Sequence, residues 1–103
     1  MIILAEDEEK IIMFTQKGCG HCERAKTDFK NDIKEGRIIE APVENKGWMS
    51  LASKLNVTGT PTLFKVKSNG NGKIKPENIE ISGACDIEEY RKTGSCKGKY
   101  PFV

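Results

Sequence analysis

The chain has 103 residues, with 17 Lys and Arg against 15 Asp and Glu for a net charge of +2. That length holds one domain with a single core and argues against two independently folding units. The near-even charge argues against a nucleic-acid binder, whose domain is usually far more basic. No apolar run approaches the ~20 residues of a membrane span; the longest are residues 2–5 and 11–14. The first five residues carry no basic leader, and Glu6, Asp7, Glu8 and Glu9 follow at once. No export signal is read there, so a cytoplasmic setting is expected. The acidic run itself reads as a solvated turn.

Residues 11–14 (Ile, Ile, Met, Phe) read as a buried strand running into a loop at Gly18. Cys22, Ala25, Phe29 and Ile33 then recur at spacings of three, four and four. That is one face of a helix, which Gly36 would stop. Ile38, Ile39 and Val43 mark a second strand, with Pro42 confining its latter part to an edge or an end. Trp48, Leu51, Ala52 and Leu55 repeat at helical spacing. They predict a second helix, opened near Asn45 and closed near Asn56, with Trp48 in the core. Residues 62–67 form a strand. The polar stretch 68–78 predicts a mobile connection to a returning strand at 79–82. Asp86 followed by Glu89 fits a helix cap, and a short helix should run to about Thr93, with Gly94 ending it. The order predicts a mixed four-stranded sheet flanked by three helices, its first two strands parallel. The domain spans 1–103, with a core at about 10–94 and a tail at 95–103.

The chain has four cysteines, and only Cys19 and Cys22 are close together. In a chain able to build a core, such a pair reads as redox or metal chemistry rather than scaffolding. The pair sits where a strand ends and a helix begins. A helix start offers free amide hydrogens and the positive end of the macrodipole, and both favour a thiolate. Cys19, at that start, is therefore the more acidic thiol. Cys22 falls on the apolar face and is more buried. An acidic, accessible thiol beside a buried partner suits two-step exchange: Cys19 attacks a disulfide and Cys22 resolves the mixed disulfide.

Residues 14–26, from Phe14 through Cys19-Gly20-His21-Cys22 to Ala25-Lys26, resemble the active-site segment of the thioredoxin superfamily, nearest to the glutaredoxin branch. Gly59-Thr60-Pro61-Thr62 resembles the family's threonine–proline element. Gly83-Ala84-Cys85-Asp86 resembles its turn before the last helix. The three matches fall in family order. The resemblance implies the thioredoxin fold and a cis peptide between Thr60 and Pro61, whose backbone would meet an extended substrate. It also implies glutathione contacts at Lys17, Thr60, Pro61, Ala84, Cys85 and Asp86. Lys17 also reads as a solvated loop charge and Asp86 as a helix cap, which is compatible with a binding role. Relative to thioredoxins proper, Gly18 replaces the tryptophan before the first cysteine, and Met13 replaces the buried aspartate. Gly20-His21 resembles the protein disulfide isomerase pair. A charged His21 would favour the thiolate and make the couple less reducing.

These residues lead to a monomeric thiol–disulfide oxidoreductase with no bound cofactor. Lys17, Gly20 and His21 would tune the Cys19–Cys22 pair. Its partners would be disulfide-containing proteins or glutathione, with electrons from glutathione or a flavin-dependent reductase. One rival is a glutathione-independent, isomerase-like exchanger. Another is a metal module in which Cys19 and Cys22 join His21, Cys85 or a second subunit around zinc or an iron–sulfur cluster. Cys85 is read as a half-buried structural thiol or an extra redox handle. A bond to Cys96, across a helix roughly 12 Å long, would need the tail to fold back.

Overall fold

The structure, a computed structural model, describes residues 9–68, 74–94 and 96. The elements run β1 (Glu9–Thr15), α1 (Gly20–Asp28), α2 (Lys30–Lys34), β2 (Ile38–Pro42), α3 (Lys46–Lys54), β3 (Thr62–Ser68), β4 (Ile79–Cys85) and α4 (Ile87–Thr93). The four strands form one sheet in the order β2-β1-β3-β4. β1 and β2 are parallel, and the pairs β1–β3 and β3–β4 are antiparallel. This is the mixed sheet expected from the sequence. β2 lies at an edge, and Pro42, which has no amide to donate, is its last residue.

Alternation along β1 divides the core in two. Ile12 and Phe14 join Ala41, Trp48, Ala52, Phe64 and Val66 under α3. Phe14 meets the Trp48 and Phe64 rings edge-on, at 6.3 and 5.8 Å. Such pairs contribute about 0.5–1.5 kcal/mol each beyond the area they bury. On the opposite face, Met13 packs with Ala25, Phe29, Ile38, Leu63 and Tyr90 beneath α1 and α4. The helix starts are built as their sequences suggest. The Asn45 side chain accepts from the Gly47 and Trp48 amides, and Asp86 accepts from those of Glu88 and Glu89. Gly94, at φ 71°, closes α4 in the left-handed conformation that glycine tolerates. No helix among the described residues is long and apolar enough to cross a membrane.

Four details differ from the sequence reading. The helix after the cysteines breaks at Phe29 (φ −105°, ψ 24°), so among the described residues four helices replace three. The Phe29 ring is buried edge-on against Tyr90 at 5.2 Å, with the Arg91 guanidinium 5.9 Å above it. These tertiary contacts hold Phe29 outside helical geometry. Second, β4 continues through Gly83 and Ala84, which pair with Lys65 and Phe64 after a bulge. Third, Glu9 opens β1 instead of ending an acidic turn; residues 6–8 lie outside the described residues. Fourth, Cys85 is not a free thiol: it is bonded to Cys96, with Cα atoms 4.9 Å apart. The centre of the expected mobile connection, residues 69–73, lies outside the described residues, as does the tail apart from Cys96.

Candidate active site

β1, an inner strand paired with β2 and β3, ends where the chain turns at Gly18, φ 79°, and enters α1. Cys19 caps that helix in an extended conformation, and its sulfur accepts the Cys22 amide at 3.1 Å. The first-turn amide that favours a thiolate is therefore already aimed at Sγ. Cys19 is half-buried and Cys22 fully buried. The two are joined as a disulfide, with Cα atoms 5.2 Å apart. Accessible and sealed sulfurs are thus in the order expected from the helix face. Gly20 and His21 occupy the exposed first turn. Lys17 is exposed, and its backbone amide donates to Glu44 at 2.8 Å.

The Thr60–Pro61 peptide is cis. Thr60, just ahead of β3, the strand beside β1, lies against Cys19. The Thr60 carbonyl oxygen and hydroxyl each lie 3.5 Å from Cys19 Sγ. The hydroxyl is also 3.5 Å from Gln16 Oε1. In the dithiol form the carbonyl can accept from the Cys19 thiol. Beside Thr60 a groove of about 230 Å³ runs between Gln16, Val43, Met49 and Val57. Met49, half exposed at its rim, is the large hydrophobic side chain left open to solvent among the described residues. The sequence reading gave no role to Gln16, which lies within the active-site segment, or to Met49, which belongs to no motif.

The other expected site residues lie at the end of β4 and the start of α4. Ala84 and Cys85 lie in β4, opposite Phe64 and Leu63. Cys85 packs against the core beneath α4 and is bonded to Cys96. One Asp86 oxygen is committed to the α4 cap, with amide contacts of 2.8 and 3.1 Å. The sequence reading gave no role to Glu40 or Thr15 and named Lys26 only as part of the active-site segment. Glu40 Oε2 accepts from the Thr15 hydroxyl at 2.9 Å and from Lys26 Nζ at 3.1 Å. Lys26 also reaches Glu23 at 3.3 Å. The hydrogen bond to Glu40 holds the Lys26 ammonium above the ordinary lysine range, against some lowering by burial; Glu23 adds to the rise. A glutamate interrupting an apolar edge strand was the available signal. Among the described residues no group of three or more His, Cys, Asp or Glu side chains is placed to hold a metal ion. Each of the four cysteines is bonded to another.

The family model of the thioredoxin-like domain matches residues 2–93. Among solved structures, the chain is similar to a thioredoxin from Thermus thermophilus, with a TM-score of 0.54 and 20% identity over 82% of this chain and 68% of that one. It is also similar to an uncharacterized thioredoxin-like protein from Clostridium perfringens, with a TM-score of 0.51 and 21% identity over 95% of this chain and 79% of that one. At such identities the likeness is one of fold. No curated protein matches at a significant level.

Proposed function

Since the chain belongs to the thioredoxin-like domain family, we propose that it is a thiol–disulfide oxidoreductase working through Cys19 and Cys22. The observation that carries this reading is the pair itself. A half-buried sulfur caps α1 and takes an amide hydrogen at 3.1 Å, while its disulfide partner is fully buried. In the reduced protein the Cys19 thiolate attacks one sulfur of a substrate disulfide, and the second leaves as a thiolate. Cys22 then displaces the bound substrate sulfur and closes the Cys19–Cys22 bond. Two electrons pass to the substrate. Lys17 and a charged His21 favour the Cys19 thiolate, and Gly20 leaves the helix start open. The Thr60–Pro61 backbone meets an extended substrate beside the sulfur.

Substrates on this reading are disulfide-containing proteins or glutathione, in the manner of glutaredoxins. Lys17, Thr60, Pro61, Ala84, Cys85 and Asp86 would form the glutathione side. One observation favours the second reading, exchange with protein disulfides independent of glutathione: Cys85 is tied to Cys96. Equilibrium titration of the protein against glutathione, with mass spectrometry of trapped species, tests both. A glutathione adduct on Cys19 supports the glutaredoxin-like reading. A dithiol–disulfide transition without an adduct supports protein-directed exchange. No transition at Cys19–Cys22 refutes the function.

A further inference from the structure

Resolution of a mixed disulfide requires Cys22 to lose a proton, because the thiolate is the attacking form. Cys22 is fully buried, and burial disfavours a thiolate. Its proton needs a local acceptor. At positions 11, 13 and 15, the α1 face of β1 carries no carboxylate: Ile11 and Met13 pack under α1, and Thr15 carries only a hydroxyl. The parallel register sets Glu40 of β2 opposite Met13. Ile38, two residues before Glu40, packs beneath α1, so alternation turns Glu40 to the same face. Its carboxylate is fixed there by Thr15, which is 2% exposed, and by Lys26. Lys26 follows Cys22 by one helical turn, which makes the two side chains neighbours, with Cβ atoms about 5–6 Å apart. The Glu40 side chain is itself 36% exposed. It joins the sealed face of the sheet to water.

We propose that Glu40 receives the Cys22 proton during resolution, with Lys26 and Thr15 as positioning residues that hold its carboxylate. The role rests on the oxidoreductase reading above. In this step the Cys22 S–H bond breaks and the proton passes to Glu40. The Cys22 sulfur bonds to Cys19 Sγ as the bond from Cys19 to the substrate breaks. The substrate leaves with that electron pair as a thiolate, and the proton on Glu40 returns through solvent to a thiolate product. The charged groups around Glu40 are Lys26 and, behind it, Glu23, both on α1. On the same helix Arg24 is exposed and Asp28 pairs with Arg91. On α2, Lys30 and Lys34 are exposed and Asp32 pairs with Arg37. α3 packs on the other face of the sheet.

The test follows the reduced full chain reacting with a small chromogenic aromatic disulfide. The first thiol released reports attack by Cys19, and the second reports resolution by Cys22. Glu40→Gln is expected to slow the second release at neutral pH by about tenfold or more, with the deficit shrinking as pH approaches the thiol's own ionisation. Glu40→Asp should recover part of the rate. Thr15→Val should show a smaller loss of the same pH dependence. First release should be equal in Cys22→Ser with or without Glu40→Gln. In Cys19→Ser, Glu40→Gln should lower the pH at which Cys22 titrates, because a neighbouring negative charge has gone; a merely structural role would not move that signature. A second release unchanged in Glu40→Gln at every pH, or equal slowing of both releases, overturns the role and leaves the function standing. Absence of any first release from the wild-type chain overturns the function and this role with it.

Discussion

Replacing Cys96 with serine opens the Cys85–Cys96 bridge while leaving Cys85 packed beneath α4. The bridge spans 11 residues. In the chain-entropy treatment, closing a loop of that length removes roughly 9 cal/mol/K from the unfolded chain, or about 3 kcal/mol at 25 °C. The bond matters locally because α4 has seven residues, too few to be stable as an isolated helix. Its remaining anchors are Tyr90 in the core, the Arg91–Asp28 pair at 2.9 Å and the Arg91 contact with the Phe29 ring. Urea unfolding followed by the fluorescence of Trp48 measures the effect. Under oxidising conditions Cys96→Ser should lose about 3 kcal/mol. For a chain of this size that corresponds to a fall in Tm on the order of 12–24 °C. In strong reductant the two proteins should unfold together, since neither then carries the bridge. A loss under 0.5 kcal/mol in oxidising buffer, on the order of a neutral surface change, would refute the reasoning. So would a loss that persists in full in reductant.

Burial first, and then the charge of Asp32, raise the Tyr90 phenol above 10.0, with Arg37 opposing. From about pH 10 upward the unfolded chain sheds this proton while the folded chain keeps it, so stability should fall as pH rises; urea midpoints across that range check it, and Tyr90→Phe should remove this component. Gly47→Ala should destabilise by about 1 kcal/mol despite alanine's better helix propensity, because its Cβ would meet Pro76 Cγ at 2.8 Å. Adding Pro76→Ala should erase that loss in the same unfolding assay. Asn45→Ala should cost about 1 kcal/mol through the α3 cap, with amide exchange increased at Gly47 and Trp48.

Local chemistry made most of the fold legible. Asn45, Asp86 and Gly94 announce helix ends through their own side chains or lack of one, and the β1 alternation is readable without a partner. The site core was legible for the same reason: Cys19, Cys22, Thr60 and Pro61 lie in short motifs. What escaped depends on contacts between distant segments. The break at Phe29 comes from Tyr90 and Arg91, more than sixty residues onward. The extension of β4 over Gly83 and Ala84 comes from pairing with β3, which compensates for two weak strand formers. The Cys85–Cys96 bond needs the chain to double back after Gly94, a reversal that helix length alone argued against. Glu40 acquires its partners only when β1, β2 and α1 are assembled.

The same glutamate guards β2 against mispairing. A five-residue edge strand bonded to one neighbour takes its alignment from the side chains its faces bury. Sliding it by one residue along β1 would turn every side chain to the opposite face. Glu40 would then enter the aromatic cluster of Phe14, Trp48 and Phe64, stripped of Thr15 and Lys26, and an unpaired carboxylate there costs several kcal/mol. Ile38 would leave its place beneath α1 in the same movement. The register one residue out therefore carries a penalty that local rearrangement does not relieve. One charged side chain, with Ile38, thus makes the wrong register of the sheet's outer strand costly.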